Sequence, residues 1–244
     1  VDLTDHDASS RLLAFCGLCG SGVRQGMTSP WMMGTPHTSR MTLSLYGGAR
    51  SRASMPRWYL EEKGIPHQWQ QLAMEEGEHR EPPFTKINPF GKVPALVDDS
   101  LQGPDGGPLR LFESGAILLH LAERYGHEFD GDPDAAIARR SLTAQWLLFA
   151  NATLSTALFV ASAREKEFPR LMEVLDGLLE GGRSLLAGSW GDPGWGAADC
   201  AVQAHLAYLP VLAPQVDLSA YPNVQATIEA VRERPSYQWA IGQR

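Results

Sequence analysis

The chain has 244 residues, with 28 acidic against 21 basic side chains and a formal net charge of −7. It is 43% hydrophobic and 20% charged, which suits a globular chain able to bury a core as one large domain or two of roughly 100 residues. The acidic balance argues against a protein built to wrap nucleic acid, no run of about 18 apolar residues is there to span a bilayer, and three cysteines cannot form a disulfide scaffold, so a reducing, cytoplasmic setting is the default.

Residues 1–40 are rich in Ser, Thr, Gly and Pro and show neither a strand nor a helix period, so they are expected to be a disordered extension. The apolar piece from Leu12 to Cys19 is preceded by Asp2, Asp5 and Asp7, the wrong charge for a secretory leader. Met41 stands directly before a clean strand pattern, and the functional polypeptide is expected to begin there. Cys16 and Cys19 form a C-x-x-C pair, but no strand precedes it to set up a redox site. As a zinc half-site it would need two further ligands, and only His6 and His37 lie nearby. No metal is expected.

From Thr42 to Tyr46 the alternation of Leu43 and Leu45 predicts a strand, closed by Gly47-Gly48. Ser54 to Lys63 reads as a helix ending at Gly64-Ile65-Pro66, and His67 to Leu72 as a second strand, parallel to the first. After a polar loop, the stretch Asn88 to Val97 predicts a turn, a Val-Pro step and a short strand. Leu101 to Pro108 is then a hairpin turn, Leu109 to Phe112 its partner strand, and Glu113 to Tyr125 a helix. The chain divides near Tyr125 to Asp132. Beyond that point the pattern is helical: a long helix over Ile137 to Ala163, a second over Phe168 to Leu186, a loop with Trp190 and Trp195, a third over Ala197 to Leu209, and shorter ones at Val224 to Arg232 and Ser236 to Ile241.

The order β-α-β, loop, Val-Pro, β, β, α is thioredoxin-like. Four elements carry a closer resemblance: Leu45-Tyr46-Gly47-Gly48 with Ser51 behind it, Gly77-Glu78-His79, Asn88 through Leu96, and Leu111 through Ile117. In their order and spacing they resemble the cytosolic glutathione transferases from Met41 almost to the C-terminus. The stretch Ala49 to Ser54 is most similar to the chi class described in cyanobacteria. The resemblance implies an α/β thioredoxin-like, glutathione-binding domain at 41–125, followed by an all-helical domain at 132–244, with glutathione as co-substrate.

Each motif also has its own physical sense. A cis Val93-Pro94 bond would turn the backbone N–H and C=O of Val93 outward, where they can pair with the cysteinyl backbone of glutathione. Glu113 and Ser114 open a helix, so amides and a hydroxyl can take the γ-glutamyl carboxylate while Glu113 accepts from its ammonium, or the two residues simply cap the helix. His79 and Lys92 stand where the resemblance implies contacts to the glycyl carboxylate, or they are solvated surface residues. A thiol with pKa near 8.5 is only a few per cent ionised at neutral pH, so the site needs a donor to the thiolate. Ser51 is the best-placed hydroxyl, flanked by Arg50 and Arg52; Ser54 one turn on, or the arginines themselves, are the alternatives.

One departure stands out: Gly196 occupies the cap position before Ala197-Ala198-Asp199, where these proteins usually place Ser or Thr, and Asp199 is expected to hold the cap from the other side. Cys200 falls in that helix and reads as core. Two functions compete: conjugation of glutathione to small electrophiles held between Ser51 and the segment from Gln145 to Ser155, or a non-catalytic glutathione-transferase-like binding or assembly module. A homodimer is expected through Phe90 and the helices Gly115 to Tyr125 and Ile137 to Ala163.

Overall fold

The structure, a computed structural model, describes residues 43–48, 51–187 and 194–242. The expectations for the 1–40 extension, its Cys16 and Cys19, Thr42, Arg50 and the Trp190 loop lie outside those residues.

Four strands form one mixed sheet in the order β2-β1-β3-β4. β1 (Leu43–Gly47) runs parallel to β2 (Gln68–Gln71) through α1 (Ser54–Glu62), and antiparallel to β3 (Ala95–Gln102), which pairs antiparallel with β4 (Pro108–Phe112). The period-2 pattern of β1 sorts its side chains between the two faces. Leu43 and Leu45 are buried in the main core with Met55, Trp58, Tyr59 and Leu60 of α1 and Ile117, Leu118 and Leu121 of α2 (Ser114–Arg124), whereas Tyr46 packs on the other face against Phe84, Leu72 and Ala95. Each fully buried Leu there contributes roughly 1.5–3 kcal/mol of transfer free energy, enough to fix the strand's register.

β3 runs five residues past the expected Val97, and the hairpin turn contracts to Gly103–Gly107. The extension holds because Asp98, fully buried, finds partners: Ser100 N (2.9 Å) and Oγ (2.6 Å), Tyr125 OH (2.7 Å) and His120 Nε2 (2.9 Å). Burial alone would raise its pKa, but these hydrogen bonds outweigh it and leave the carboxyl below its ordinary value.

The helical domain opens with α3 (Pro133–Leu148), whose cap Asp132 accepts from Ala135 N at 2.9 Å and whose first residue is proline. α3 runs through a π-helical turn, Phe149–Leu154, into the short α4 (Ser155–Phe159). The expected single helix to Ala163 is broken at Val160, which is extended, and α5 (Ala161–Leu178) leaves at 116°. The second expected helix therefore starts seven residues early and stops at Leu178 instead of Leu186. α6 (Ala197–Leu212) is the buried centre, with α7 (Pro222–Glu233) packed against it and α8 (Pro235–Gly242) packed against α7 and α1. Asp199 holds the α6 entrance as expected, accepting from Gly196 N (3.1 Å) and Leu185 N (2.9 Å). Among the described residues no single helix is long and apolar enough to cross a membrane.

Candidate functional site

Strand register gathers the site. Ala95 lies opposite Tyr46 on one side and Phe112 on the other, so the segments after Tyr46, before Ala95 and after Phe112 all leave the sheet at the same end. Leu72 N donates to Gly47 O at 2.8 Å and brings the loop after β2 to that end as well. Ser51, Val93-Pro94 and Glu113-Ser114 come from distant stretches of sequence, and for this reason their segments adjoin the same end of the sheet.

Ser51 closes the turn between β1 and α1. Its hydroxyl donates to Gly48 O (2.8 Å) and accepts from Gly48 N and Ala53 N (3.3 Å each), while the side chain stays half-buried. Ser54 faces elsewhere: its hydroxyl donates to Ser51 O (2.9 Å) and meets Tyr208 OH of α6 at 2.7 Å. Since the Ser54 proton is taken up by Ser51 O, Tyr208 is the donor in that pair; burial lifts its phenol to about 12 and keeps it protonated. Arg52 extends from the α1 entrance to the helical domain, where its guanidinium donates to Ser155 Oγ on α4. Tyr46, the other hydroxyl near this turn, points to the far face of the sheet, against Phe84.

The Val93-Pro94 peptide is cis, and so is Pro82-Pro83. Asn88 shapes the turn before it, its amide donating to Lys92 O (2.7 Å) and its Oδ1 accepting from Phe90 N (3.1 Å). Gly91, at φ 58°, sits against the short helical turn Glu78–Arg80: a Cβ there would lie 2.9 Å from His79 O. His79 and Lys92 are thus carried on neighbouring segments. His79 is half-buried and its Nδ1 has no partner among the described residues, while the Lys92 side chain is exposed.

Glu113 adopts φ 69° and ψ 119°, a backbone conformation that costs a non-glycine residue on the order of 1–3 kcal/mol, and its carboxylate is exposed at the start of α2. Ser114 is buried and donates to Asn151 Oδ1 at 3.3 Å. Asn151 escaped the sequence reading. It projects from the π-helical turn, and Gly115 leaves room for it, since a Cβ on Gly115 would stand 2.6 Å from its Nδ2. No periodicity announces a π turn, although such turns recur at functional sites. Of the segment from Gln145 to Ser155, only the later part faces this end of the sheet. Gln145 lines a separate cavity of about 510 Å³ between α3 and α5, with Trp146, Phe149, Leu171 and Val174. Among the described residues no group of three His, Cys, Asp or Glu side chains could hold a metal ion.

Comparison with known proteins places this geometry in context. Residues 41–123 match the family model described as glutathione S-transferase, N-terminal domain. The chain is 31% identical over 199 residues to the disulfide-bond oxidoreductase YfcG of Escherichia coli, an alignment covering 75% of this chain and 86% of that protein. The chain belongs to the glutathione S-transferase family. It is also 31% identical to the glutathione S-transferase-like protein OpS6 of Beauveria bassiana, covering 72% of this chain and 84% of that one. Among solved structures, the glutathione transferase of Burkholderia graminis, with two glutathione molecules bound per subunit, superposes with a TM-score of 0.62 at 27% identity, over 85% of this chain and 90% of the other. The glutathione transferase of Pseudomonas putida, with one glutathione disulfide bound per subunit, gives 0.63 at 27% identity, over 85% and 94%. The α/β domain with its four-stranded mixed sheet, followed by a helical domain, is the glutathione transferase fold.

Proposed function

We propose that this chain binds glutathione at the end of the sheet and joins its thiolate sulfur to a small electrophile. The register that aligns Tyr46, Ala95 and Phe112 carries this reading, because it collects complementary groups for each part of the tripeptide. The backbone of Val93, ahead of Pro94, takes the cysteinyl unit as a strand takes a neighbour. Glu113 accepts from the γ-glutamyl ammonium, and the Ser114 hydroxyl, turned from its long 3.3 Å bond to Asn151 Oδ1, takes the γ-glutamyl carboxylate with the first amides of α2. His79, with its unpartnered Nδ1, and Lys92 serve the glycyl carboxylate. Ser51 donates to the thiolate: its hydroxyl rotates from Gly48 O to the sulfur, and a hydrogen bond to a charged acceptor contributes about 1.5–3 kcal/mol. The occupied state of Ser54 and the reach of Arg52 toward Ser155 favour Ser51 as that donor; Arg50 adds positive charge on the preceding residue. The chi-like subclass rests on the Ala49 to Ser54 stretch alone.

A second acceptor chemistry is favoured by the name of the Escherichia coli relative: the same thiolate would attack a disulfide sulfur instead of an electrophilic carbon. A non-catalytic module is the third reading, prompted by partial matches to yeast URE2 proteins, such as 42% identity over 76 residues and 20% of the Saccharomyces cerevisiae transcriptional regulator. Retention on immobilised glutathione, followed by turnover of 1-chloro-2,4-dinitrobenzene and of bis(2-hydroxyethyl) disulfide, separates the three. Conjugation is expected to proceed; turnover of the disulfide alone would shift the assignment to oxidoreductase, and retention without either would leave a binding module.

We propose in addition that the chain forms a homodimer. Phe90 is 69% exposed and meets Phe112 edge-on at 5.4 Å, and Ile137 and Leu148, 64% and 71% exposed, share a face of α3. Soluble monomers rarely leave such apolar area uncovered. Light scattering near twice 26.7 kDa would support pairing, within a reducing cytoplasm that keeps the thiol co-substrate reduced.

A further inference from the structure

Among the described residues Arg52 is a cation without a counter-charge. Arg110, Arg140, Arg183 and Arg234 pair with carboxylates and Arg52 is among the described arginines that do not; what sets it apart is its place directly after Ser51 and its hold on a buried hydroxyl. Its one partner is the neutral hydroxyl of Ser155, itself only 7% exposed. A guanidinium has five N–H donors in a planar fork, so most of them stay available beside the segment that follows Ser51.

The neighbouring wall of α6 offers no competing anion. His205 is buried; its Nδ1 faces Ala201 O at 2.7 Å and, since a carbonyl can only accept, must carry the proton. Its Nε2 is left as an acceptor with no partner. Burial, together with the Arg52 charge, holds the ring neutral. Tyr208 is committed to Ser54. A fixed, desolvated hydroxyl behind Arg52 and neutral groups beside it leave the guanidinium as the local charge. The chain as a whole carries −7, so a negatively charged molecule approaching elsewhere is repelled.

We propose that Arg52, oriented by Ser155, anchors a carboxylate of the acceptor, so that the enzyme selects anionic acceptors over neutral ones of equal reactivity. The inference rests on the glutathione reading above and adds the acceptor's chemical class. Ser155 is a positioning residue: it holds the fork in place and touches no reacting atom.

The matched pair 4-chloro-3-nitrobenzoate and 4-chloro-3-nitrobenzamide tests it. In both, the glutathione sulfur bonds to the ring carbon bearing chlorine, the C–Cl bond breaks, chloride leaves with its electron pair, and the thiol proton passes to solvent. Each kcat/KM is divided by the uncatalysed rate constant with glutathione, and the benzoate-to-benzamide ratio is compared between variants. The wild type is expected to favour benzoate. In Arg52→Gln the ratio falls about tenfold, whatever loss the two acceptors share, as expected when one charge-assisted hydrogen bond is removed from a partly exposed site. Arg52→Lys, which keeps the charge without the fork, recovers part of the ratio, and Ser155→Ala raises KM for benzoate more than it lowers kcat. Equal losses for both acceptors in Arg52→Gln would overturn the proposal and assign Arg52 to the thiolate. An unchanged ratio would overturn it too. Calorimetry on the wild type tells the two failures apart: no glutathione binding removes the underlying reading and this inference with it, while normal binding with an unchanged ratio removes this inference alone.

Discussion

The Glu128 carboxylate occupies the space that the missing cap side chain of Gly196 would fill. A Cβ on Gly196 would lie 2.7 Å from Glu128 Oε2, and the carboxylate accepts from Ala197 N at 3.1 and 3.2 Å and from Tyr59 OH at 2.6 Å. The cap of α6 is thus supplied by the connection between the two domains. That carboxylate, after burial itself, helps to push the Tyr59 phenol well above its ordinary pKa.

The general rule that Ser is a better cap than Gly should therefore fail here. Gly196→Ser is expected to destabilise the protein by about 1–3 kcal/mol, because it displaces Glu128 and leaves Tyr59 OH and Ala197 N without their acceptor. Glu128→Ala should do the same. The backbone of Gly196, at φ −142°, suits any residue, so the loss comes from the contact alone. Urea midpoints of the two variants and the wild type check this, and a stabilised Gly196→Ser would contradict it.

Ser51→Ala is expected to lower turnover ten- to a hundredfold with little change in glutathione affinity, on the scale of one hydrogen bond to an anion, about 1.5–3 kcal/mol. Ser54→Ala should change turnover far less, since that hydroxyl is engaged with Tyr208 and Ser51 O. Steady-state kinetics of both variants, with melting temperatures to monitor the turn that Ser51 also closes, decide between them.

Glu113 offers a case in which stability and affinity should move in opposite directions. Glycine, with no Cβ, tolerates φ 69° and ψ 119° at less cost than glutamate, so Glu113→Gly relieves part of the backbone strain and is expected to raise stability by up to about 1 kcal/mol after the entropy of the unfolded chain is counted. The same substitution removes the carboxylate proposed to hold the γ-glutamyl ammonium, and the Kd for glutathione should rise about tenfold or more. Calorimetric titration and thermal unfolding of one variant measure both. An unaltered Kd would reduce Glu113 to a backbone role.

His205 makes stability depend on pH. Burial lowers its pKa from 6.5 to about 4. Between those values the unfolded chain binds a proton that the folded one refuses, so stability increases with pH across this window and falls on acidification. From pH 7 to pH 5 the loss from this group is roughly 2 kcal/mol. His205→Gln, which keeps a donor for Ala201 O, should show a smaller difference between its urea midpoints at the two pH values. An identical difference would place the acid sensitivity elsewhere.

What the sequence disclosed follows from where local signals are strong. Leu43 and Leu45 alternate cleanly and Gly64-Ile65-Pro66 ends a helix unambiguously, so the βαβ unit was legible. Val160 breaks a helix with neither Gly nor Pro beside it, while Pro169, which reads as a first-turn residue, sits inside α5. Tertiary packing sets both. The site divides in the same way. Ser51, Val93-Pro94 and Glu113-Ser114 carry short motifs, but Asn151 and Ser155 reach the candidate site only through tertiary contacts, Asn151 from a π turn to Ser114 and Ser155 from the helix after it to Arg52. The proposed preference for Ser51 over Ser54 leans on Tyr208, which is 154 residues away from Ser54 in the chain.

Cys200 is the only cysteine among the described residues; it is buried, with its thiol directed at Met55 O (3.4 Å) and its pKa pushed upward by that burial and by Glu128 and Asp199. A protonated, enclosed thiol is a poor nucleophile. A catalyst working among sulfur-seeking compounds is exposed to poisoning by them at its own sulfur. Cys200, the one thiol among the described residues, is withdrawn from such attack, so iodoacetamide should leave it unmodified in the native fold and alkylate it once the chain is opened in denaturant. An electrophile drawn to thiols would then find the proposed tripeptide co-substrate far more readily than it finds Cys200.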